Sequence, residues 1–456
     1  MKEKRRDFIT DSALAAAGLA LTGGRSFAGP RTERPNILIV LDDQERYPMH
    51  TTPQELPQRE RLKSTSIEFA NTYCSYPLCS PSRSTILTGL YPHQTAIMGN
   101  ADFNQKAPSL SADIPNLGNV FKNAGYETGY FGKWHLTREI LFGRRVLGNY
   151  GFTDDRVNNQ IFGFGGDSRL AREVTRWIRS RKNEKPWIMV YSPVNPHDIC
   201  YPDMSHLYRG VEKRNVKIPP NYEEDLSDHP EGHWRFKRDD KFAKLQMPKD
   251  REGFKDYLRF YMHLIELVDR NLGRVLDALE ESGQWDNTLI IFTSDHGEMG
   301  GSHGLVNKGF IYEECMRIPL WISAPWLISK NVVKTGFVTN TDLAPTIAAS
   351  AGVRWPTQLS GRNLLDPQSE APSYIFCEGG TSGDIKYNIP WRGIISKEWK
   401  YCLWLNGEEE LYHRTEDPLE MSNLASDLNA LDIKDKLRRK VNDWRRATED
   451  PLRELL

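Results

Sequence analysis

The run Pro35-Asn36-Ile37-Leu38-Ile39-Val40-Leu41 is apolar over the length of one β-strand. A strand that is buried on both faces of a parallel sheet shows this continuous pattern. Similar apolar runs occur at 128–131, 187–191 and 288–293, and helical patterns lie between them at 114–124, 169–181 and 253–282. Strands that alternate with helices predict an α/β fold with a mostly parallel sheet flanked by helices.

The pattern changes after residue 365. Short strand-like segments occur at 374–377, 391–396, 400–404 and 410–413, and a charged helical pattern follows at 432–447. This order predicts a smaller C-terminal α+β domain that carries a short antiparallel sheet. We expect a catalytic domain over residues 31–365 and a C-terminal subdomain over 366–456, since 456 residues favour two or three domains.

The charge balance limits the classes of partner. The chain has 60 Lys+Arg and 61 Asp+Glu, a formal net charge of −1, which excludes a globally basic nucleic-acid binder. We therefore expect no nucleic-acid partner. Beyond the N-terminus no apolar run reaches 18 residues, so we also expect no stable membrane anchor.

Residues 1–28 are typical of an export signal. A basic start at residues 2–6 precedes a short Ala/Leu-rich run, and Ser26-Phe27-Ala28 offers a small-residue cleavage site. Arg5-Arg6-Asp7-Phe8-Ile9 resembles a twin-arginine signal, which exports folded proteins. A Sec signal, or a lipid-free anchor, with an incidental arginine pair is the alternative. Either signal predicts a periplasmic or secreted mature protein.

Polar side chains follow four of the predicted strands at the point where each strand ends. They are Asp42-Asp43, Lys133 with His135, His197, and Asp295-His296. In open α/β sheets, ligands bind beyond the carboxyl ends of the strands. Three carboxylates in one small site raise each other's pKa values unless a cation compensates them. Oxygen ligands favour Ca²⁺ or Mg²⁺, whereas the imidazole of His296 suits Mn²⁺ or Zn²⁺ better.

A cysteine precedes a predicted short helix in Cys79-Ser80-Pro81-Ser82-Arg83-Ser84-Thr85-Ile86-Leu87-Thr88-Gly89. Pro81 suits the first turn and Gly89 suits the end of such a helix. The run resembles the signature of type I sulfatases: Cys, any residue, Pro, any residue, Arg, ending in Thr-Gly. Gly125-Tyr126-Glu127-Thr128 through Gly132-Lys133-Trp134-His135 resembles the second signature of that family. Further matching blocks follow in family order: Asn195-Pro196-His197, Ser294-Asp295-His296-Gly297, Lys308, Leu411-Tyr412, Asp417-Pro418, Glu420 and Asn423-Leu424.

The resemblance covers roughly residues 35–426 and implies an alkaline-phosphatase-like fold. It implies that a separate maturation enzyme converts Cys79 to formylglycine (3-oxoalanine). It also implies one divalent metal, usually Ca²⁺, with Mg²⁺ or Mn²⁺ as alternatives. Its ligands would be Asp42, Asp43, residue 79, Asp295 and His296. Many family members have Asn at the position of His296, which leaves the metal open.

The family mechanism implies a role for each polar residue. One hydroxyl of the hydrated aldehyde attacks sulfur and displaces the alcohol, and the second, once deprotonated, re-forms the aldehyde and expels sulfate. Arg83 and Lys133 would orient the diol, and His135 would be the base for sulfate release. Lys133, His197 and Lys308 would bind sulfate, with His197 and Lys308 protonating the leaving oxygen.

Residues outside the motifs are weaker candidates. Gln44 and His303 lie close enough in sequence to line the pocket, and Arg392 is a further candidate substrate contact. Trp234, Arg235 and Trp391 are candidate sugar contacts. The charged and aromatic stretch 200–250 predicts a surface insertion, with a lid on the substrate side as the alternative.

Export predicts an extracytoplasmic sulfate ester as substrate, and a sulfated polysaccharide or oligosaccharide is the leading expectation. Aryl sulfates and choline sulfate are alternatives within the same activity. A phosphodiester or phosphonate monoester hydrolase of the same superfamily is the nearest rival. A catalytically silent glycan-binding protein is the remaining one, although Asp42, Cys79 and Lys133 are all present.

Overall fold

A computed structural model describes residues 34–47, 52–101, 108–141, 146–157, 162–181, 185–239, 244, 246–380 and 389–452. The predicted export signal lies outside the described residues. The central sheet consists of β1 (Asn36–Asp42), β2 (Ser66–Tyr73), β3 (Glu127–Gly132), β4 (Asp154–Val157), β5 (Trp187–Ser192), β6 (Thr288–Ser294), β7 (Leu320–Ser323) and β8 (Val332–Thr339). Their order is β4-β3-β5-β1-β6-β7-β2-β8, and β7 runs antiparallel to both of its neighbours. The predicted mostly parallel sheet is confirmed.

The α-helices with described bounds are α1 (Pro57–Lys63), α2 (Cys79–Thr88), α3 (Pro92–Thr95), α4 (Leu117–Asn123), α5 (Arg138–Leu141), α6 (Gly166–Arg179), α7 (Glu231–Asp239), α8 (Arg251–Glu281), α9 (Glu313–Met316), α10 (Leu343–Ser350) and α11 (Leu431–Ala447). In the described part of the chain, no helix combines the length and the apolar character needed to cross a bilayer.

Alternating side chains of β1 contribute to two cores, one on each face of the sheet. Ile37, Ile39 and Leu41 pack in a core that includes residues of α2, α4 and α10. Leu38 and Val40 pack in a core that includes residues of α6 and α8. Burial on both faces is the physical reason that this strand is apolar without alternation.

The C-terminal sheet is antiparallel, with strands β9 (Tyr374–Gly379), β10 (Trp391–Ser396), β11 (Trp399–Trp404) and β12 (Glu409–His413) in the order β12-β11-β10-β9. Leu437 and Val441 of α11 pack in one core with side chains of this sheet. Cys377, Trp391 and other residues of the sheet pack in another core with Tyr73 and Ile311. This confirms the predicted C-terminal antiparallel sheet.

The insertion between residues 200 and 250 is not a purely solvated surface. Phe236 and Leu226 lie in a core together with Tyr412 of β12, while Val216 packs with residues of α8. The insertion therefore connects the long helix to the C-terminal sheet.

Candidate active site

The polar residues predicted at strand ends converge because their strands are neighbours. β3, β5, β1 and β6 lie side by side in this order, and all four are parallel. Asp42 ends β1 and Asp295 follows β6, with the amide N–H of Asp295 donating to the carbonyl of Asp42 at 3.2 Å. Lys133 follows β3, and its amide N–H donates to the carbonyl of Ser192 in β5 at 2.8 Å.

Four side chains form a compact set of possible metal ligands. One donor atom each from Asp43, Cys79, Asp295 and His296 lies within 4.8 Å of all the others, and all four residues are buried. Nε2 of His296 lies 3.2 Å from Sγ of Cys79. Nδ1 of the same ring lies 2.9 Å from the carbonyl oxygen of Gly297. That contact orients the ring so that Nε2 faces the cluster.

Asp42, the remaining predicted ligand, is not within that group of four. Its Oδ2 accepts from Arg59 at 3.2 Å, and its Oδ1 is buried without a hydrogen-bond partner. Burial, followed by the charge of Glu45, raises the pKa of Asp42 well above its usual value. An unpartnered buried carboxylate oxygen beside further carboxylates fits a cation. The donor set of oxygens with one imidazole therefore suits a divalent metal.

Arg83 joins the two carboxylates of this cluster. Its Nε donates to Oδ2 of Asp295 and its Nη2 to Oδ2 of Asp43, both at 2.8 Å. Its Nη1 donates to the carbonyl of Lys133 at 2.7 Å and to Oγ of Ser192 at 2.8 Å. The planar guanidinium supplies several donors in fixed directions, which a lysine does not. Arg83 therefore sets the spacing of the carboxylates.

Cys79 is the first residue of α2, and Gly89 ends this helix with φ of +70°, as the sequence predicts. Nζ of Lys133 lies 3.8 Å from the Cys79 sulfur and 2.7 Å from Oδ2 of Asp43. Burial alone would raise the pKa of Cys79, but Lys133, Lys308 and His296 lower it well below its usual value. The position thus favours negative charge on residue 79.

Positive φ angles occur in or next to the site at Gly132, Gln44 and His135. Gly132 has φ of +113°, and a Cβ there would lie 1.9 Å from the carbonyl oxygen of Ser192. Only glycine lets β3 deliver Lys133 this close to β5. Gln44 and His135 have φ of 70° and 54°, a strained left-handed backbone that is frequent at functional sites.

Two histidines and a lysine complete the predicted constellation. Burial, followed by Lys133 and Lys308, lowers the pKa of His197 to about 3. Burial also lowers the pKa of His135, whereas a hydrogen bond with Cys79 opposes this shift. Nζ of Lys308 donates to Oε1 of Gln44, whose Nε2 donates to Glu298. Both imidazoles are therefore neutral near pH 7, beside cationic lysines.

His303 does not join this cluster. Its ring stacks on Tyr312 with centroids 3.7 Å apart, and its Nδ1 contacts Glu224. Tyr312 also hydrogen-bonds to His229 and His233 at 2.9 and 3.0 Å. His303 therefore belongs to a buried network next to the C-terminal sheet, which does not support the predicted substrate contact.

Arg392 and Trp391 also lie inside the fold rather than at a substrate surface, and each is 1 % exposed. Arg392 donates to both carboxylate oxygens of Asp450, at 2.7 and 3.0 Å. Nε1 of Trp391 donates to the carbonyl of Gly309 at 3.0 Å. Both side chains are buried and hydrogen-bonded within the fold, which does not support the predicted substrate contact of Arg392 or the predicted sugar contact of Trp391. Trp234 and Arg235 are half-buried on α7.

Sequence reasoning missed several residues that support the site. Arg59 forms ion pairs with Asp42 and Glu45, and Glu298 accepts from Gln44 and from Tyr257. In the sequence, no motif distinguishes Arg59 and Glu298 from charged residues at the surface. Their partners in the folded protein explain why these two charged side chains are buried.

Comparison with known proteins identifies the family. The Sulfatase family model matches residues 35–353, and that of the N-sulphoglucosamine sulphohydrolase C-terminal region matches 301–447. The chain is 27% identical to an N-acetylglucosamine-6-O-sulfatase of Bacteroides thetaiotaomicron, over 90% of this chain and 86% of that one. It shares 25% identity and a TM-score of 0.77 with the structure of a 2-O GAG sulfatase, over 93% and 94% of the two chains.

The fold also occurs in a phosphonate monoester hydrolase from Silicibacter pomeroyi, with a TM-score of 0.75 at 21% identity, over 91% of this chain and 96% of that one. Identity this low shows the fold alone. The family model, in contrast, covers well over half of the 456 residues and includes every strand of the central sheet. The chain belongs to the sulfatase family and is a sulfuric ester hydrolase.

Proposed function

We propose that this sulfatase hydrolyses sulfate esters of saccharides, with residue 79 matured to formylglycine and a divalent cation held beside it. The observation that carries the proposal is the convergence of Asp43, Cys79, Asp295 and His296 within 4.8 Å. The buried free oxygen of Asp42 supports it as a fifth ligand. When bound, the cation polarises a sulfate oxygen and favours ionisation of a nearby hydroxyl.

The cationic side chains would position the sulfate next to the side chain of residue 79. Lys133 lies between Asp43 and residue 79, so its ammonium faces the position where negative charge develops. Lys308 is buried, and its Nζ donates to Oε1 of Gln44. Preorganised cations in a buried site stabilise developing charge without reorganisation.

The two histidines would move protons. His135 is neutral, as a base must be, when the second hydroxyl of the hydrated residue 79 loses its proton. His197 is also neutral in the free site, so it would gain a proton only when the sulfate anion offsets Lys133 and Lys308. His197 with Lys308 would then protonate the leaving oxygen.

Similarity supports a sulfated saccharide as the substrate. The relatives reported above include an N-acetylglucosamine-6-O-sulfatase and a 2-O GAG sulfatase. Maturation would require a formylglycine-generating enzyme as a transient partner. The N-terminal signal predicts action in the periplasm or outside the cell, with export by the twin-arginine route after the aldehyde has formed.

A phosphonate monoester hydrolase is the second candidate, favoured by the shared fold and by an imidazole at position 296. The test is a panel of defined sulfated saccharides, choline sulfate, 4-nitrophenyl sulfate and the phosphonate monoester 4-nitrophenyl phenylphosphonate, with the matured enzyme and its C79A variant. The proposal expects sulfate release from at least one saccharide and none with C79A. Faster turnover of the phosphonate than of any sulfate would contradict it.

A further inference from the structure

Two buried carboxylates fix the segment around residue 163 to the turn that carries His197. Asp167 accepts from the amides of Val194 and Asn195, both at 2.9 Å. In return, Asp198 accepts from the amide of Gly163 at 3.0 Å and from that of Phe164 at 3.1 Å. Each segment therefore satisfies backbone amides of the other, and four backbone amides fix the relative position of the two segments.

An exposed aromatic side chain begins this fixed segment. Phe162 is 41% exposed, and its ring packs edge-to-face on Tyr201, with centroids 4.8 Å apart and planes at 64°. A large apolar side chain gains little stability from an exposed position. Phe162 therefore leaves part of its ring accessible on a braced segment, next to Tyr201.

Tyr201 connects this exposed ring to the catalytic pocket. Its ring centroid lies 6.4 Å from that of His197. Burial, followed by the charge of Cys200, raises the pKa of Tyr201 to about 12. Tyr201 therefore lies between Phe162 and His197, the residue proposed above to protonate the leaving oxygen.

We propose that Phe162 and Tyr201 form an aromatic platform for the sugar ring that carries the sulfate. The inference rests on the proposed function and specifies how this enzyme would recognise the alcohol part of its ester. A pyranose ring presents an apolar face of C–H groups that packs on an aromatic ring, while its hydroxyl groups stay accessible to water and polar side chains. Binding the leaving group here would align its oxygen with His197.

The test compares F162A with F164A in the matured enzyme. Phe164 is a matched control, because it is 48% exposed on the same segment but packs on Tyr208 instead of Tyr201. The probes are a sulfated saccharide that the wild type hydrolyses, choline sulfate, and inorganic sulfate as a product inhibitor. For the saccharide, F162A is expected to raise KM about tenfold, as for loss of one aromatic contact. The Ki of sulfate should stay unchanged, and F162W should restore KM.

Three results would overturn the platform. The first is a KM of F162A for the saccharide equal to that of F164A. The second is an increase in the Ki of sulfate as large as the increase in the KM for the saccharide, because this would indicate damage to the catalytic pocket itself. A loss confined to choline sulfate would instead assign the aromatic pair to a trimethylammonium group. Absence of sulfate release from every saccharide by the wild type is a separate result, since it contradicts the proposed function.

Discussion

Sγ of Cys79 lies 3.2 Å from Nε2 of His296, so the side chain expected to become the nucleophile touches a candidate metal ligand. The remaining nitrogen of the imidazole is held by the carbonyl of Gly297, and Asp295 raises the pKa of His296 despite its burial. One cation at this contact would bind both residue 79 and the carboxylates. The same cation would then bind the sulfate and activate the nucleophile at residue 79.

Substitution of His296 is expected to change either the amount of bound metal or the metal that supports activity. H296A should lose the bound cation and the activity together, because it removes one donor from the cluster. H296N should retain Ca²⁺-dependent turnover and lose its response to Mn²⁺ or Zn²⁺, since an amide oxygen is a hard ligand. Elemental analysis after dialysis, with turnover after chelation and addition of each metal, measures this. Unchanged metal content in H296A would remove His296 from the ligand set.

Arg83 is expected to be essential for stability as well as for activity. R83M leaves Asp43 and Asp295 buried without their guanidinium, and breaking such a pair costs about 3–5 kcal/mol. Denaturant unfolding should be measured with a chelator present, so that metal binding does not mask the loss. R179M is the matched control, because Arg179 is a half-exposed arginine paired with Glu281. A stability of R83M equal to that of R179M would contradict the proposed role of Arg83 in holding the two carboxylates.

The role of His197 predicts a dependence on the leaving group. H197A should reduce kcat by about 10²–10⁴ for an alkyl sulfate, where the leaving oxygen needs a proton. The reduction should be much smaller for 4-nitrophenyl sulfate, whose phenolate leaves without one. Steady-state kinetics on both esters test this. Equal losses on the two esters would make His197 a sulfate-binding residue only.

Asp167 predicts a pH dependence of stability. Burial raises its pKa to about 7, although the amides of Val194 and Asn195 oppose this. The unfolded carboxyl, with a pKa near 3.8, loses its proton first, so the stability that this group contributes is present below about pH 4 and is lost as the pH rises to about 7. The free energy of unfolding should therefore change by at most about 1.4 kcal/mol per pH unit.

The D167N variant checks this linkage by denaturant unfolding at pH 4, 5, 6 and 7. The amide does not titrate, so the contribution of residue 167 to the slope should disappear. Asp155, a partly exposed carboxylate of β4, provides the control D155N. An identical pH profile for D167N and the wild type would show that Asp167 titrates normally.

The sequence predicts the centre of the fold better than its edges. β1, β5 and β6 are continuous apolar runs because both of their faces are covered. β4 and β8 are the edge strands, with few buried side chains, and β2 carries a register shift between Phe69 and Asn71. These strands lack a continuous apolar signal and were not predicted.

The site residues were predictable where a motif places them at a strand end. Asp43, Lys133 and Asp295 are examples, because neighbouring parallel strands bring their carboxyl ends together. Arg392 shows the limit. Its partner Asp450 lies 58 residues away, and nothing in the sequence distinguishes a buried ion pair from a substrate contact. His303 lies close in sequence to Asp295 and His296, but its side chain contacts Glu224 instead of the cluster.

The peptide mass of residue 79, measured together with activity, tests the central claim most directly. The protein is purified after expression with and without a formylglycine-generating enzyme, and the fraction of converted residue 79 is compared with turnover of a sulfate ester. The account predicts a lighter peptide in which aldehyde replaces thiol, with activity proportional to the converted fraction. Full activity in protein that retains the Cys79 thiol would contradict it.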